Sequence, residues 1–298
     1  MTGSQPLVSI VTPSYNAARF LSESIESVLA QSYPRIEYVL MDGGSSDATP
    51  VVLDRYRDRV ARVSSRADAG QAEAINTGIA STAGEIVAFL NADDRYLPNA
   101  VEQAVRAFEA HPDAGVVYGN AYHIDDRGAT IGPYPTEDFD AARLKRACFI
   151  CQPAAFVRRD AFEAAGGLNP QLHYALDYDL WMRLAAAGKR FVRIEPFLAE
   201  SRVHPASKSA GNRSAFYREV HAVLKRRFGY VPYEWVQGYA SYLCGHRDQF
   251  ASRRPPNTAV AAAACLALGV WTNRRRTATF VADWLAHRSA GKKLIRGA

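Results

Sequence analysis

The first hundred residues alternate between short strand-like runs rich in β-branched residues and longer segments with apolar residues at helical spacing. The strand-like runs lie at residues 7–13, 36–42, 61–65 and 85–91, and helical segments at 20–31, 47–58 and 71–82 separate them. This order predicts right-handed crossovers and an α/β fold, in which helices cover both faces of a mainly parallel sheet. A further helix at residues 99–111, a strand at 115–125 and a hairpin follow.

Mostly polar residues stand at the carboxyl ends of these four predicted strands. They are Thr12, Pro13, Tyr15 and Asn16 at the first, Asp42 at the second, Asp68 just past the third, and Asn91, Asp93 and Asp94 at the fourth. Ligands of open α/β sheets bind beyond the carboxyl ends of the strands. One acidic strand end is ordinary for a solvated turn, but four around one edge predict a ligand site.

The adjacent carboxylates Asp93 and Asp94 repel each other, and burying either one alone is costly. Two explanations remain open from these residues by themselves. One is a solvated turn before a helix that begins near Pro98. The other is a site for a divalent cation, which would relieve the repulsion.

The composition favours a folded protein with a sizeable core. Of 298 residues, 48% are hydrophobic and 22% charged. Four cysteines are too few for a disulfide scaffold, and no second closely spaced pair joins Cys148 and Cys151 in a zinc site. The N-terminus lacks the features of a signal peptide. These observations predict reduced thiols and a cytoplasmic protein.

Charge divides the chain unevenly. Residues 213–298 contain 15 Lys or Arg and 4 Asp or Glu, a net charge of +11, whereas residues 1–212 carry 21 basic and 26 acidic residues, a net of −5. We therefore expect a domain at 1–212 and a basic, helical region at 213–298. Such a region suits an anionic surface.

The apolar run at residues 258–271 has 14 residues, fewer than the roughly 20 needed to span a bilayer. Basic and aromatic residues follow it, as in an interfacial helix on anionic lipid. The hypothesis is peripheral attachment at the inner face of the cytoplasmic membrane. The alternative is an ordinary helical bundle that packs on the body. Nucleic acid is not expected as a partner, because no recognised binding motif is present.

Four segments occur in a fixed order over about residues 6–209. They are VSIVTPSYNAARFLSESIESVLAQSYPRIEYVLMDGGSSDAT, LNADDRYLP, GGLNPQLHYALDYDLWMRLA and RVHPASKS. Together they resemble the inverting glycosyltransferases of family 2, which have the glycosyltransferase A fold. The HYALDYDLW form is most similar to members that act on bacterial cell-surface polysaccharides.

The resemblance implies a nucleoside-diphosphate sugar donor, a saccharide or lipid-linked acceptor, and Mg²⁺ or Mn²⁺ on the diphosphate. It implies that Asp177 is the general base, although Leu176 stands where the family often has glutamate. It also implies that Asp94 binds the metal and that His204 approaches the metal or the diphosphate. The implied nucleotide-binding set is Thr12, Pro13, Tyr15, Asn16, Asp42, Asp68, Asn91 and Asp93, with Asp93 on the ribose or sugar.

The residues agree with this chemistry. An acidic cleft repels a nucleoside diphosphate unless a hard cation lies between them, and a carboxylate can take the proton of an acceptor hydroxyl. Asp177 has a second explanation, because an aspartate at a helix N-terminus is favourable by capping and dipole alone. Asp179 lies about 200° further around the same helix, so we expect it to point elsewhere.

Other functions are less well supported. A nucleotidyltransferase that makes nucleotide sugars needs a glycine-rich, basic loop after the first strand, and TPSYNAARF is not one. A dehydrogenase would have G-x-G-x-x-G there. A non-catalytic protein that binds sugar nucleotides remains an alternative, and the joint presence of Asp94 and Asp177 argues against it.

Overall fold

The computed structural model describes residues 5–245 and 258–295. The chain divides into two units: Met1–Ala141 with Cys148–His204, and Ala142–Ala147 with Pro205–Ala298. The boundary at His204 lies eight residues before the one expected from the charge distribution. Part of the basic region, residues 246–257 and 296–298, lies outside the described residues.

The first unit is built on one sheet, whose described strands have the order β3-β2-β1-β4-β8-β6-β9-β5, with β7 beside β6. The strands are β1 Val8–Ser14, β2 Ile36–Asp42, β3 Arg62–Ser65, β4 Ile86–Phe89, β5 Arg95–Tyr96, β6 Ala114–Ile124, β7 Thr130–Pro133, β8 Ala155–Arg158 and β9 Arg190–Arg202. The helices of this unit are α1 Leu21–Leu29, α2 Thr49–Asp54, α3 Gln71–Ala80, α4 Ala100–Ala110, α6 Arg159–Ala164 and α7 Leu176–Ala186. Helix α5 Ala141–Leu144 begins at the last residue of this segment and continues into the second unit.

The N-terminal half of the sheet agrees with the sequence analysis. Strands β3, β2, β1 and β4 are parallel neighbours, and β1 is buried at all seven positions. A strand covered on both faces needs a continuous apolar run of this kind. Helix α3 comes so close that a β-carbon at Gly78 would lie 2.6 Å from the Val11 side chain, which explains the glycine there.

The other half of the sheet is mixed. Strand β8 runs antiparallel to both β4 and β6, and β5 runs antiparallel to β9, whereas β6 and β9 are parallel. The α/β prediction is confirmed. Parallel pairing orders β1 to β4 and also joins β6 to β9, while the other described pairs are antiparallel. Strand β7 is also antiparallel to β6, so the strands that break the parallel order, β5, β7 and β8, all follow β4 in the chain.

The second unit consists mainly of helices: α8 Lys208–Gly211, α9 Arg213–Phe228, α10 Tyr233–Gly245, α11 Thr258–Thr272 and α12 Thr277–Ile295. A polar cluster joins α10 and α12 through Arg146. Arg146 contacts Glu234 at 3.0 Å and Asp283 at 3.1 Å, and the Tyr230 hydroxyl donates to Asp283 at 2.7 Å. None of the helices in the described ranges is both long and apolar enough to cross a membrane.

His221 of α9 is buried in the second unit. Its Nε2 lies 3.2 Å from the Trp235 carbonyl oxygen, and the Tyr239 ring meets it edge-on at 5.5 Å. Burial lowers the pKa of His221 to about 4, because it penalises the charged form; the charge of Lys225 lowers it further. The unfolded chain binds this proton near pH 6.5.

We therefore expect His221 to make the folded state less stable as pH falls from about 6.5 to about 4, since the unfolded chain is then protonated and the folded one is not. The loss should approach about 3 kcal/mol. His221→Gln keeps an N–H donor and removes the titration. Denaturant unfolding of both chains across this range measures the difference, and a difference that stays constant with pH would contradict the expectation.

Candidate active site

Asp42 ends β2, and the parallel register gives it two serine neighbours. Ser14 of β1 and Ser65 of β3 are its register partners on either side. The Ser65 hydroxyl donates to the Asp42 carboxylate at 2.6 Å and the Ser14 hydroxyl at 3.3 Å. The Ser45 backbone N–H donates to it at 3.1 Å, and the Ser45 hydroxyl donates as well. Only 2% of Asp42 is exposed, and these donors stabilise its charge there.

The sequence analysis missed the three serines. For Ser14 and Ser65 a signal was present, because residues at the same register position of neighbouring parallel strands must be adjacent. The first strand was predicted to end at residue 13, one residue short of Ser14, and no register was assigned. Ser45 lies in the loop after β2, where strand register gives no signal.

The loops that follow β1 and β2 are tied to each other through Asn16. Its side-chain oxygen accepts from the backbone N–H of Ser46 at 2.9 Å and of Asp47 at 3.3 Å. Its own N–H donates to the Ser45 hydroxyl at 2.8 Å, and its φ of 49° is a conformation that asparagine tolerates. Asn16 therefore shapes the edge of the sheet as a loop clamp.

The other residues predicted at the end of β1 differ in exposure. Thr12 is fully buried, and its hydroxyl is hydrogen-bonded to that of Tyr38 at 2.8 Å. Pro13 is also buried. Tyr15, in contrast, is 67% exposed. Of these three, only Tyr15 offers a large accessible surface to a ligand.

Asp68 lies against the end of β2. Its Oδ1 accepts from the Gly70 N–H at 2.8 Å. A β-carbon at Gly43 would lie only 3.0 Å from Asp68 Oδ2, so the glycine at position 43 allows the carboxylate to approach. The loop after β3 thus brings Asp68 next to the Asp42–Gly43 strand end, as the sheet topology predicts.

Asp94 is an interior residue. It is 4% exposed, and both carboxylate oxygens accept hydrogen bonds from the protein. Oδ1 accepts from the backbone N–H of Arg202 at 2.9 Å, and Oδ2 accepts from the Asn91 amide at 3.0 Å. Burial raises the pKa of Asp94 to about 8, with a further contribution from the charge of Asp93.

Asn91 links Asp94 to two neighbouring elements. Its Oδ1 accepts from Gln71 of α3 at 2.6 Å, and its amide nitrogen also donates to Gln152 at 3.1 Å. Gln152 in turn donates to the Phe89 carbonyl oxygen at 2.6 Å. This chain of amides fixes the end of β4 from both sides, so Asn91 holds Asp94 in place.

Asp93 and His204 form a pair at the edge of this interior network. His204 Nε2 lies 3.0 Å from Asp93 Oδ2. The Asp93 side chain is 29% exposed and that of His204 is 11% exposed. The Phe20 ring packs against the imidazole with 5.0 Å between ring centres. An oxygen and a nitrogen donor therefore lie side by side and within reach of solvent.

The described residues offer few candidate metal ligands. Residues 5–245 and 258–295 contain no group of three or more His, Cys, Asp or Glu that could hold a metal ion. A cation held mainly by phosphate and water needs only one or two protein ligands, and a carboxylate with an imidazole suits Mn²⁺. Asp93 with His204 offers such a pair of donors, while both oxygens of Asp94, the expected ligand, accept hydrogen bonds from the protein.

Asp177 lies in the first turn of α7 and is half-buried. Burial raises the pKa of the Cys148 thiol, and the charge of Asp177 raises it further. The pKa of Cys151 is also raised, by burial and then by the charges of Asp94, Cys148 and Asp177. One thiol thus lies within electrostatic range of both Asp94 and Asp177. Both cysteines stay protonated, as expected for reduced thiols.

Asp179 has an ion-pair partner within its own helix. It is buried and accepts from Arg183 at 2.8 Å. The two aspartates of the LDYD segment therefore have different surroundings, and only Asp177 is partly accessible.

Arg202 organises the region around Asp93. Its guanidinium donates to the Asp93 carbonyl oxygen at 2.9 Å, to Glu23 at 2.7 Å and to the Asp125 carbonyl oxygen at 3.2 Å. It also lies 4.5 Å over the Phe20 ring, and its side chain is 1% exposed. All three guanidinium nitrogens are used within the protein, so Arg202 is a structural cation.

We expect Arg202→Met to lower the free energy of unfolding by about 3 kcal/mol, because it leaves two carbonyl oxygens without a donor and Glu23 without this partner. Arg19 is the matched control, since its pair with Asp126 is largely exposed and Arg19→Met should cost less than about 1 kcal/mol. Denaturant unfolding measures both. Equal small effects would show that the buried contacts of Arg202 add little.

Relatives in sequence match about two thirds to three quarters of this chain. An uncharacterized glycosyltransferase of Rickettsia typhi is 30% identical over 67% of this chain, which spans 65% of the relative's length. The O-antigen biosynthesis protein RfbC of Myxococcus xanthus is 30% identical over 74% of this chain and 18% of its own length. The chain thus spans less than two thirds of these relatives.

Solved structures share the fold. S. aureus TarS 1–349 in complex with UDP-GlcNAc aligns with a TM-score of 0.61 at 17% identity, covering 80% of this chain and 72% of that one. The mannosyltransferase PcManGT from Pyrobaculum calidifontis, in complex with GDP-Man and Mn²⁺, aligns with a TM-score of 0.59 at 20% identity, covering 97% and 80%. The sequence model described as glycosyl transferase family 2 matches residues 9–166, more than half of the chain, and the chain belongs to that family.

Proposed function

We propose that this chain is a metal-dependent, inverting glycosyltransferase that moves a sugar from a nucleoside-diphosphate sugar to an acceptor hydroxyl. The observation that carries the proposal is the accessible Asp93–His204 pair, 3.0 Å apart at the carboxyl edge of a parallel sheet. The class of donor is supported by structural neighbours solved with UDP, UDP-GlcNAc or GDP-Man. Relatives named as an O-antigen biosynthesis protein and a chondroitin synthase support a role in polysaccharide synthesis. The acceptor proposed is a saccharide or lipid-linked saccharide of the cell envelope.

The nucleotide would lie across the ends of β1, β2 and β3. Asp42 would accept a hydrogen bond from a ring N–H of the base, since its charge is held in place by serine donors. The exposed ring of Tyr15 offers a surface for stacking. Asp68, next to Gly43, would face the ribose side. Thr12, Pro13, Asn16 and Asn91 would act by shaping this edge.

The diphosphate would lie near the end of β4. Asp93 and His204 would hold Mg²⁺ or Mn²⁺ there, and a bound cation would offset the charge that grows on the diphosphate leaving group. The buried Asp94 would hold the Asp93–His204 pair in position. Its carboxylate accepts a hydrogen bond from the Arg202 backbone N–H. This bond joins the turn that carries Asp93 to β9, the strand that precedes His204.

Asp177 would act on the acceptor. Its carboxylate would take the proton of the acceptor hydroxyl as the oxygen attacks the anomeric carbon. The glycosidic bond to the diphosphate breaks with its electron pair leaving on the phosphate oxygen. Attack from the face opposite the leaving group inverts the anomeric configuration. The remaining proton stays on Asp177 until it passes to solvent.

The basic second unit bears on location. We propose a cytoplasmic enzyme that is peripheral at an anionic membrane surface, supported by the net charge of +11 in residues 213–298. A position at the membrane would bring the enzyme close to a lipid-linked acceptor.

A thermal-shift screen tests the donor and metal assignment together. We expect one of UDP, GDP or dTDP to raise the melting temperature more with Mn²⁺ than without it, because a ligand of the folded state stabilises it. Asp93→Asn should abolish the part that depends on Mn²⁺. Asp94→Asn is the control, which should lower the melting temperature of the free protein and keep the Mn²⁺-dependent shift.

The opposite pattern, a Mn²⁺-dependent shift lost in Asp94→Asn and kept in Asp93→Asn, would return the metal to Asp94. No shift with any nucleotide would count against the enzyme as a whole.

Asp177→Asn should keep the nucleotide-dependent thermal shift and reduce turnover by at least 100-fold, because an amide cannot accept the acceptor proton. Release of nucleoside diphosphate in the presence of acceptor measures turnover. Asp179→Asn is a poor control because it breaks a buried ion pair; exposed Asp160→Asn, at the start of α6, serves instead. Turnover equal to that of the unchanged chain would remove Asp177 from this role.

A further inference from the structure

Helix α11 of the second unit has no charged residue in its fifteen positions. One of its faces is buried: Cys265, Gly269 and Thr272 have little or no exposure. A β-carbon at Gly269 would overlap the ring of Phe280 on α12, and Phe280 itself is fully buried. This face of α11 is therefore the one that packs within the helical unit.

The opposite face of α11 is exposed and apolar. Ala263, Ala267 and Trp271 follow one another at four-residue spacing and all are exposed. The Trp271 side chain is 74% exposed. The outward face of a surface helix in water normally carries polar and charged residues, so this face is suited to an apolar environment.

Three arginines adjoin this face. Arg274, Arg275 and Arg276 form the turn after α11, and all are exposed. None makes an ion pair with another described residue. Residues 258–295 contain six basic residues and one acidic one, Asp283, and Asp283 contacts Arg146 and Tyr230 within the unit. The charge presented around α11 is therefore positive.

We propose that Ala263, Ala267, Trp271, Arg274 and Arg275 form a docking surface, here named the α11 surface, for the interface of an anionic lipid bilayer. Trp271 would lie at the level of the headgroups, where an amphipathic ring is favoured. The arginines would contact anionic headgroups. This inference rests on the proposed peripheral location and names the surface that provides it, and it uses none of the residues assigned to the transferase reaction.

The length and charge of the surface favour a bilayer interface over other occupants. A fifteen-residue helix is about 22 Å long, shorter than the roughly 30 Å hydrocarbon core, so it suits a position parallel to the membrane plane. A second copy of the chain would bring no acidic group to these arginines through the same face, since α11 contains none. The interface of an anionic bilayer suits both parts, because its acyl region accepts the apolar face and its headgroups contact the arginines.

Flotation of the full chain with lipid vesicles tests the proposal. We expect the chain to float with phosphatidylcholine vesicles that contain phosphatidylglycerol and to remain behind with phosphatidylcholine alone. Arg274→Gln with Arg275→Gln should weaken partitioning about thirtyfold, since each basic residue near an anionic surface contributes about 1 kcal/mol. Trp271→Ala should weaken it about tenfold through lost apolar burial.

The matched control removes the same charge elsewhere. Arg55 and Arg62 are exposed residues of the first unit, and Arg55→Gln with Arg62→Gln should float like the unchanged chain. Circular dichroism confirms that all variants fold. Equal losses in both double variants would show that total charge, and not the α11 surface, governs binding, and would overturn the proposal.

Fluorescence locates the contact. Brominated lipid in the anionic vesicles should quench tryptophan emission more in the unchanged chain than in Trp271→Phe, because the proposal places Trp271 in the membrane interface, within reach of the bromine atoms. Absence of flotation, or equal quenching in both chains, would refute the α11 surface. Sedimentation showing a dimer that Trp271→Ala converts to a monomer would assign the face to a second copy instead.

Discussion

The hydrogen bond from the Arg202 backbone N–H to the buried Asp94 carboxylate joins two distant parts of the chain, 2.9 Å apart and 108 residues separated. It fixes the turn after β4 to the end of β9. The Arg202 side chain repeats the connection, since it donates to the Asp93 carbonyl oxygen. Asp93 immediately precedes Asp94, and His204 lies two residues after Arg202. Their pairing is therefore a consequence of this buried contact.

A buried carboxyl group is costly unless its oxygens are satisfied. Asp94 meets that condition through a backbone donor and an amide donor, and its pKa is raised because burial penalises the charge. Such a residue is suited to hold a turn in place. Asp93, the preceding residue, is more exposed, and one of its carboxylate oxygens lies beside the His204 imidazole. The two adjacent aspartates thus have different surroundings, an interior one for Asp94 and a partly exposed one for Asp93, to which we assign the proposed metal.

The sequence predicted the elements of the N-terminal half well, because its strands are short apolar runs and its helices have clear periodicity. Strand β2 was expected at residues 36–42 and is Ile36–Asp42. The antiparallel strand β8 was not predicted with a direction, because adjacency in a mixed sheet is decided by packing and not by local pattern. For the same reason, the mixed half could not be derived from alternation.

In the structure, Asp68 lies beside the Asp42–Gly43 strand end. The rule that strand ends share an edge predicted this, and it also predicted the Asp93–Asp94 pair at the same edge of the sheet. It could not tell which of two neighbouring aspartates faces inward, because that depends on Asn91 and Arg202, which approach from other elements. The contribution of Arg202 was also hidden, since a basic residue in a polar segment gives no sign of being 1% exposed.

The uneven charge of the chain has a physical consequence that connects both proposals. Residues 1–212 carry a net charge of −5, and their candidate site gathers carboxylates at one sheet edge. An anionic surface repels such a segment, so any electrostatic attachment must come from the residues that follow. Those residues carry +11, and their attraction to anionic lipid weakens with salt, because exposed charges are screened. The two functions thus place opposite demands on charge, and the chain meets them in separate segments.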